Sequence, residues 1–387
     1  MKLLKGELIA TGAELVAAPA VLDLPVGALS RLPPIRPAAT AGQVVTDFLA
    51  GLRPPVAADI RAMLATLANP LRIGTLHYAL GEESLTRAIL AWGVETGADA
   101  VLMVSRAEDW AIRTVSAEAL ADTVASVLLE DVPLSPARLQ KALSPDAALV
   151  FLAALHALRA GRLAAHLAHD IAPVAFTPGA IAEALEDVGE VDFRWPLLFL
   201  DKVLPFSLNG LNWEEQIAPA LGSLADRGLV ERVKKSKTTW MLTPLGYQLA
   251  VADAQHLTKV GLRVTATTDE ELKGHEAFLF LRSLQDVVMY DLGGREAVIA
   301  SIPFADLRSL LATVLTPPAK AVAGRAAKPA ATQACATCGH ALVPGAKFCP
   351  ACGAKVGAQS STASTCATCG AALATGAKFC ASCGAKV

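Results

Sequence analysis

Four strand-like runs, 71-LRIGTLHYAL-80, 85-LTRAILAW-92, 100-AVLMV-104 and 111-AIRTV-115, decide how the body of this chain is read. Each is rich in β-branched, leucine or aromatic residues, and short polar or glycine-containing stretches separate them. Parallel neighbours need a crossover of a dozen or more residues, so connections this short demand an antiparallel meander. Ala117–Glu130 follows with helical spacing and packs beside the sheet in this reading.

Ala57–Ala68 reads as a helix, and Ser135 to His169 as wholly helical and alanine-rich. The opening MKLLKGELIATGAELVAAPA has Glu7 and Glu14 where a signal peptide needs an uncharged core, so it is expected to be mature sequence forming a strand or short helix. Towards the end of the body, Phe278–Leu281, Val287–Leu292 and Ala297–Ile302 alternate as strands, Gly293-Gly294 supplies a hairpin turn, and a helix starts at Ala305. An offset of 187 sets Leu120, Ala125, Val127 and Leu128 against Leu307, Ala312, Val314 and Leu315. An internal repeat would produce this, and so would the spacing that all amphipathic helices share.

The 387 residues are 53% hydrophobic and 18% charged, the composition of a protein with a well-buried core. The most apolar stretch, Ala147–Leu158, is about a dozen residues with His156 inside it, against about 20 for a membrane span, so no membrane association is expected. From Pro317 onward there are seven basic residues and no acidic one, leaving 27 basic against 36 acidic before it. The expected organisation is an α+β region over 1–170, a helical region over 171–260, a strand, hairpin and helix unit over 261–316, and a proline- and alanine-rich linker over 317–334. A two-part tail, 335–356 and 366–387, is divided by a second linker, 357–365.

All eight cysteines lie in that tail as two copies of one pattern, Cys335, Cys338, Cys349, Cys352 and Cys366, Cys369, Cys380, Cys383. Each copy is Cys-x2-Cys, ten residues, Cys-x2-Cys, which brings four thiolates to one tetrahedral zinc ion at about 2.3 Å. Glycine follows every second cysteine of a pair (Gly339, Gly353, Gly370, Gly384), and Ala-Lys-Phe precedes the third cysteine of each copy. A disulfide framework is the competing reading, and cysteine pairing is rare in a reducing cytosol. The repeats resemble zinc ribbons, called double zinc ribbons when paired. That resemblance implies two structural zinc ions, each held by four cysteines with no open coordination position, and hence no catalysis at the metal. Two tetrathiolate sites would lower the tail's charge from +7 to +3, a poor clamp for nucleic acid.

The segment 224-LADRGLVERVKKSKTTWMLTPLGYQLA-250 resembles the winged-helix modules of MarR-type and related bacterial regulators. The resemblance implies a helix from about Trp213 to Asp226, wing strands near Leu229–Val233 and Thr239–Thr243, and a closing helix from Pro244. Gly228 would cap the first helix. Arg232, Lys234, Lys235 and Lys237 are then the candidate nucleic-acid contacts. The helix that would enter the major groove carries Glu214, Glu215 and Asp226 with Pro219 inside, a face that phosphates repel.

His166 and His169 lack the third ligand and the spacing of a hydrolase zinc pair, and Glu183, Glu186, Asp187, Glu190 and Asp192 read as a solvated helix face. No phosphate-cradling glycine loop, nucleophile elbow or dinucleotide fingerprint is present. The residues therefore point to a cytoplasmic, bacterial-type, non-enzymatic zinc-binding adaptor or regulatory scaffold with a protein partner. The alternative is a winged-helix DNA-binding regulator with a zinc-ribbon tail.

Overall fold

The computed structural model describes residues 1–35, 38–80, 84–94, 96–129, 139–189, 195–208, 211–268, 271–284 and 286–317. The chain forms two units, Met1–Gly324 and Arg325–Val387. The second, with both cysteine repeats, lies outside the described residues, as do Glu190 and Asp192.

A hairpin opens the first unit: β1 (Lys2–Leu4) and β2 (Glu7–Thr11) turn at Lys5 and Gly6, both at positive φ. α1 (Gly12–Leu22) follows at once. The Thr11 hydroxyl accepts from the Glu14 amide and the Glu14 carboxylate accepts from the Thr11 amide, a capping box that marks where strand becomes helix. Then come α2 (Ala41–Ala50), α3 (Pro54–Ala68), β3 (Arg72–Leu80), β4 (Ser84–Trp92), β5 (Ala100–Ser105), β6 (Asp109–Val115) and α4 (Ala117–Leu129). β7 (Gln140–Leu143) leads through the Ser144 cap into α5 (Pro145–Leu167). A small mixed region follows, with β8 (Ala175–Phe176), α6 (Pro178–Glu186), α7 (Pro196–Leu200), α8 (Glu214–Asp226), β9 (Val230–Arg232), β10 (Trp240–Leu242) and α9 (Pro244–Ala254). The chain then returns to the main sheet with β11 (Thr258–Thr268), β12 (Glu271–Arg282), β13 (Val287–Asp291), β14 (Ala297–Ser301) and α10 (Phe304–Leu315).

The molecule is thus α+β, built on one large sheet that is antiparallel throughout. Among the described residues its order is β1-β2-β6-β5-β4-β3-β11-β12-β13-β14-β7. Two four-stranded meanders abut where β3 pairs with β11, Leu76 opposite Leu262. Each half has the same plan: an edge strand, a helix capped by a hydroxyl residue, a helical excursion, four strands and a closing helix. β2, Thr11 and α1 correspond to β7, Ser144 and α5. The offset of 187 holds from β5 to α4, where Leu102 and Met289, Val115 and Ile302, and Leu120 and Leu307 are buried equivalents. It slips by one residue in the preceding strand, where Leu90 and Trp92 match Phe278 and Phe280.

Strand periodicity allots the two faces. Leu90 and Trp92 of β4, with Val260, Leu262, Phe278 and Phe280, lie under α4 and α10, which pack against each other. Ile89 and Ala91 point the other way, into a core closed by α1 and α3. On that second face the later half has its own core, made by α5 to α9 against Leu279, Leu281, Tyr290 and Ile299.

Three expectations change. Residues 135–169 are not wholly helical, because Gln140–Leu143 completes the edge beside β14 before Ser144 and Pro145 start α5. β11 was not anticipated from its sequence, although Val260, Leu262 and Val264 alternate inward. The apolar stretch Ala147–Leu158 belongs to α5, a helix of 23 residues that by length and composition alone is long enough to cross a membrane. Its residues Ala147 to Leu155 are all buried in the protein's own core.

Candidate functional site

The arm of the excursion from α8 to α9 is assembled by its turns. At the end of α8 the Leu229 amide donates to the Leu224 carbonyl and the Gly228 amide to Ala225, while Gly228 takes φ of 71°. This is a Schellman ending, which needs a residue that tolerates the left-handed region. β9 and β10 then pair, with Trp240 opposite Arg232, and β8 adds a third strand beside β10. Thr243 starts α9 by accepting from the Gly246 amide at 3.1 Å.

Arg232, Lys234, Lys235 and Lys237 are all exposed at or beside the β9–β10 turn. The turn is tightly tied. The Val233 amide donates to the Thr239 carbonyl, the Thr239 amide donates to the Ser236 hydroxyl at 3.0 Å, and Lys235 sits at φ 69°. The Arg232 guanidinium lies 4.8 Å from the centre of the Trp240 ring, an attraction that holds its stem on the sheet. The exposed surface of α8 carries Glu214, Glu215, Gln216, Pro219 and Asp226. Buried Ile217, Ala220, Leu221 and Leu224 occupy its other side. The module therefore presents a cationic turn and an acidic helix.

α9 is joined to the body through charged groups that sequence reasoning passed over. Asp253 is 3% exposed, and Arg159 of α5 reaches it at 3.9 Å while donating to its backbone carbonyl. His256 Nδ1 contacts the same carbonyl, and its Nε2 lies 2.7 Å from Lys259 Nζ on β11. Burial pushes the Asp253 carboxyl up to about 7, against the opposing pull of Arg159 and Lys259. The signal in the sequence was an aspartate in an otherwise apolar helical stretch.

Apolar residues are exposed nearby. Leu163 and Leu167 lie one turn apart on α5, and Ile171 and Val174 follow in the loop, with Ile171 90% exposed. Arg162 holds that loop against α5 by donating to the Pro173 carbonyl at 3.1 Å, and its guanidinium sits 5.5 Å from the Tyr247 ring.

His166 and His169 are exposed, and among the described residues no group of three or more His, Cys, Asp or Glu side chains could hold a metal. Glu183, Glu186 and Asp187 are solvent-exposed on and just after α6. A hollow of about 720 Å³ between the first hairpin and α3 is lined by Lys5, Glu7, Asp59 and Arg113 among others. Its Glu7 carboxylate is already engaged by Arg106 at 2.7 Å and Arg113 at 3.6 Å.

The eight cysteines, which lie outside the described residues, supply a soft thiolate set that fits zinc by its chemistry. No curated protein matches the sequence. Among solved structures, that of the Mycobacterium tuberculosis type VII secretion system chaperone EspG5 in complex with the PE25-PPE41 dimer is 12% identical, covering 80% of this chain and 97% of that one, with a TM-score of 0.43. That likeness is too distant to carry a functional argument. The family model that matches is the double zinc ribbon, over residues 335–384, and it marks this tail as zinc-binding.

Proposed function

We propose that this protein is a non-enzymatic, cytoplasmic, zinc-binding adaptor or regulatory scaffold of bacterial type that acts through contacts with another protein. The observation that carries this reading is the double zinc ribbon at 335–384. Eight cysteines make two complete four-thiolate sets, which leave no coordination position for a substrate and give two structural ions. A unit this small draws its folding energy from metal, so zinc would govern whether the arm exists as a binding surface. The exposed Leu163, Leu167, Ile171 and Val174 support a protein partner, because clustered apolar surface marks interaction sites.

A second reading, DNA binding by a MarR-type winged helix, is favoured by the exposed Lys234, Lys235 and Lys237 on the β9–β10 turn. The acidic surface of α8 weighs against it, since it is the face that would meet phosphates. Gel-shift titrations over a range of salt concentrations separate the two. The adaptor reading expects weak binding, indifferent to replacing the three lysines by alanine. Tight, steeply salt-dependent binding that the triple variant loses would establish the DNA-binding reading instead.

A further inference from the structure

The two helical cores on the second face of the sheet share no residue, and the seam between them runs over β3. His77 lies on that seam, with Arg87 of β4 opposite it on one side and Gly261 of β11 on the other. The next residue of β3 on the same face, Thr75, is opposite Arg263. Phe199 of α7 and Val203, just beyond the helix, close on Gly261, and Lys202 lies between them in the chain. Arg31 enters from the segment after α1, anchored by its amide on the Leu67 carbonyl.

Cations thus converge on one strip of the sheet, with no matching anion among the described residues. Among the described residues, Arg31, Arg87 and Arg263 have no carboxylate at ion-pair distance. Arg263 donates one N–H to the Leu204 carbonyl at 2.7 Å. Lys202 has Asp201 at 3.5 Å, but the other oxygen of that carboxylate accepts from Ser207 and from the Leu208 amide. Burial, then Arg87, Arg263 and Lys202, hold His77 down at about 4, so its ring is neutral at physiological pH. Burial and the same neighbouring arginines lower Arg31.

Two of these groups are orphaned. His77 is 7% exposed with no partner for Nδ1, and the buried Nε of Arg31 has none either. Unpaired buried donors and crowded like charges both cost free energy, and an anion in the seam offsets both. Guanidinium forks suit an oxyanion with several acceptors, and three of them suit a dianion.

We propose that this seam is a binding site for a phosphate group, held by Arg31, Arg87 and Arg263 with His77 Nδ1 as a neutral donor. Arg87 is exposed and marks where the ligand enters. The test titrates the full chain, by calorimetry at constant ionic strength, with inorganic phosphate, O-phosphoserine and succinate. The site predicts saturable phosphate binding, tighter than succinate, that weakens about tenfold or more in both Arg31→Gln and Arg87→Gln. Arg308→Gln, on α10 over the opposite face of the sheet and paired with Asp122, leaves it unchanged. Binding of phosphoserine as well as phosphate indicates a site open enough for a monoester; binding of phosphate alone indicates the free ion. Circular dichroism checks that the variants fold, and Arg87→Gln, at an exposed position, carries the test if Arg31→Gln does not. No saturable binding beyond a chloride-matched control, equal binding by wild type and Arg87→Gln, or a preference for succinate would overturn the assignment.

Discussion

The Thr243 hydroxyl caps α9 and at the same time donates to the Gly228 carbonyl at 2.6 Å, so the start of one helix is bonded to the end of another. Between them lie the β9–β10 strands and their basic turn. This one side chain closes the module at its base. Thr243→Ala removes the cap and the tie together and is expected to cost about 1–2 kcal/mol in denaturant melts. Thr243→Ser should retain most of that, and equal losses in the two variants would show the hydroxyl to be irrelevant.

Gly261 sits where α7 meets the central strands. A Cβ there would fall 2.2 Å from a Val203 methyl and 2.9 Å from the Phe199 ring. Gly261→Ala is therefore expected to destabilise by about 1–3 kcal/mol through overpacking. Adding Val203→Ala makes room and should recover part of the loss, which a double-mutant cycle reads directly.

Two buried groups should give opposite pH dependences. Asp253 has a folded pKa above its ordinary value, so the stability of its protonated form is complete below about pH 4 and is lost as pH rises towards 7. His77 has a folded pKa below its ordinary value, so the unfolded chain binds protons first and stability falls as pH drops from about 6.5 towards 4. Urea melts from pH 4 to 8 should show that Asp253→Asn removes a downward slope with rising pH, whereas His77→Phe removes an upward one. A profile unchanged by either substitution would mean that neither group is buried as described.

Zinc stoichiometry tests the tail. Protein purified without chelator is expected to hold two zinc ions, falling to one when Cys335 and Cys338 become serine and likewise when Cys366 and Cys369 do, each measured by elemental analysis. Loss of both ions from one pair of substitutions would mean that the ribbons do not fold independently.

Much of this was legible in the residues. The meander over 71–115 follows from short connections and alternating burial, and the cysteine spacing reached the family that its match identifies. β7 was hidden because four residues give a strand little periodicity, and its neighbours are alanine-rich helix formers. β11 was hidden for a different reason: Lys259 and Arg263 look like surface residues, and only the fold shows Lys259 buried beside His256. The seam at His77 was invisible for the same cause. Its five side chains come from β3, β4, β11 and the segments after α1 and α7, and no local pattern announces that pairing β3 with β11 brings them together.

The proposed function rests on recruitment of a protein by the zinc-held tail. Tagged full-length chain and a variant with all eight cysteines replaced by serine should be compared by affinity purification from the native cell, with nuclease present. At least one protein should be recovered in near-stoichiometric amount with the wild type and be absent from the variant. Identical recovery by both, or recovery that nuclease abolishes, would contradict it.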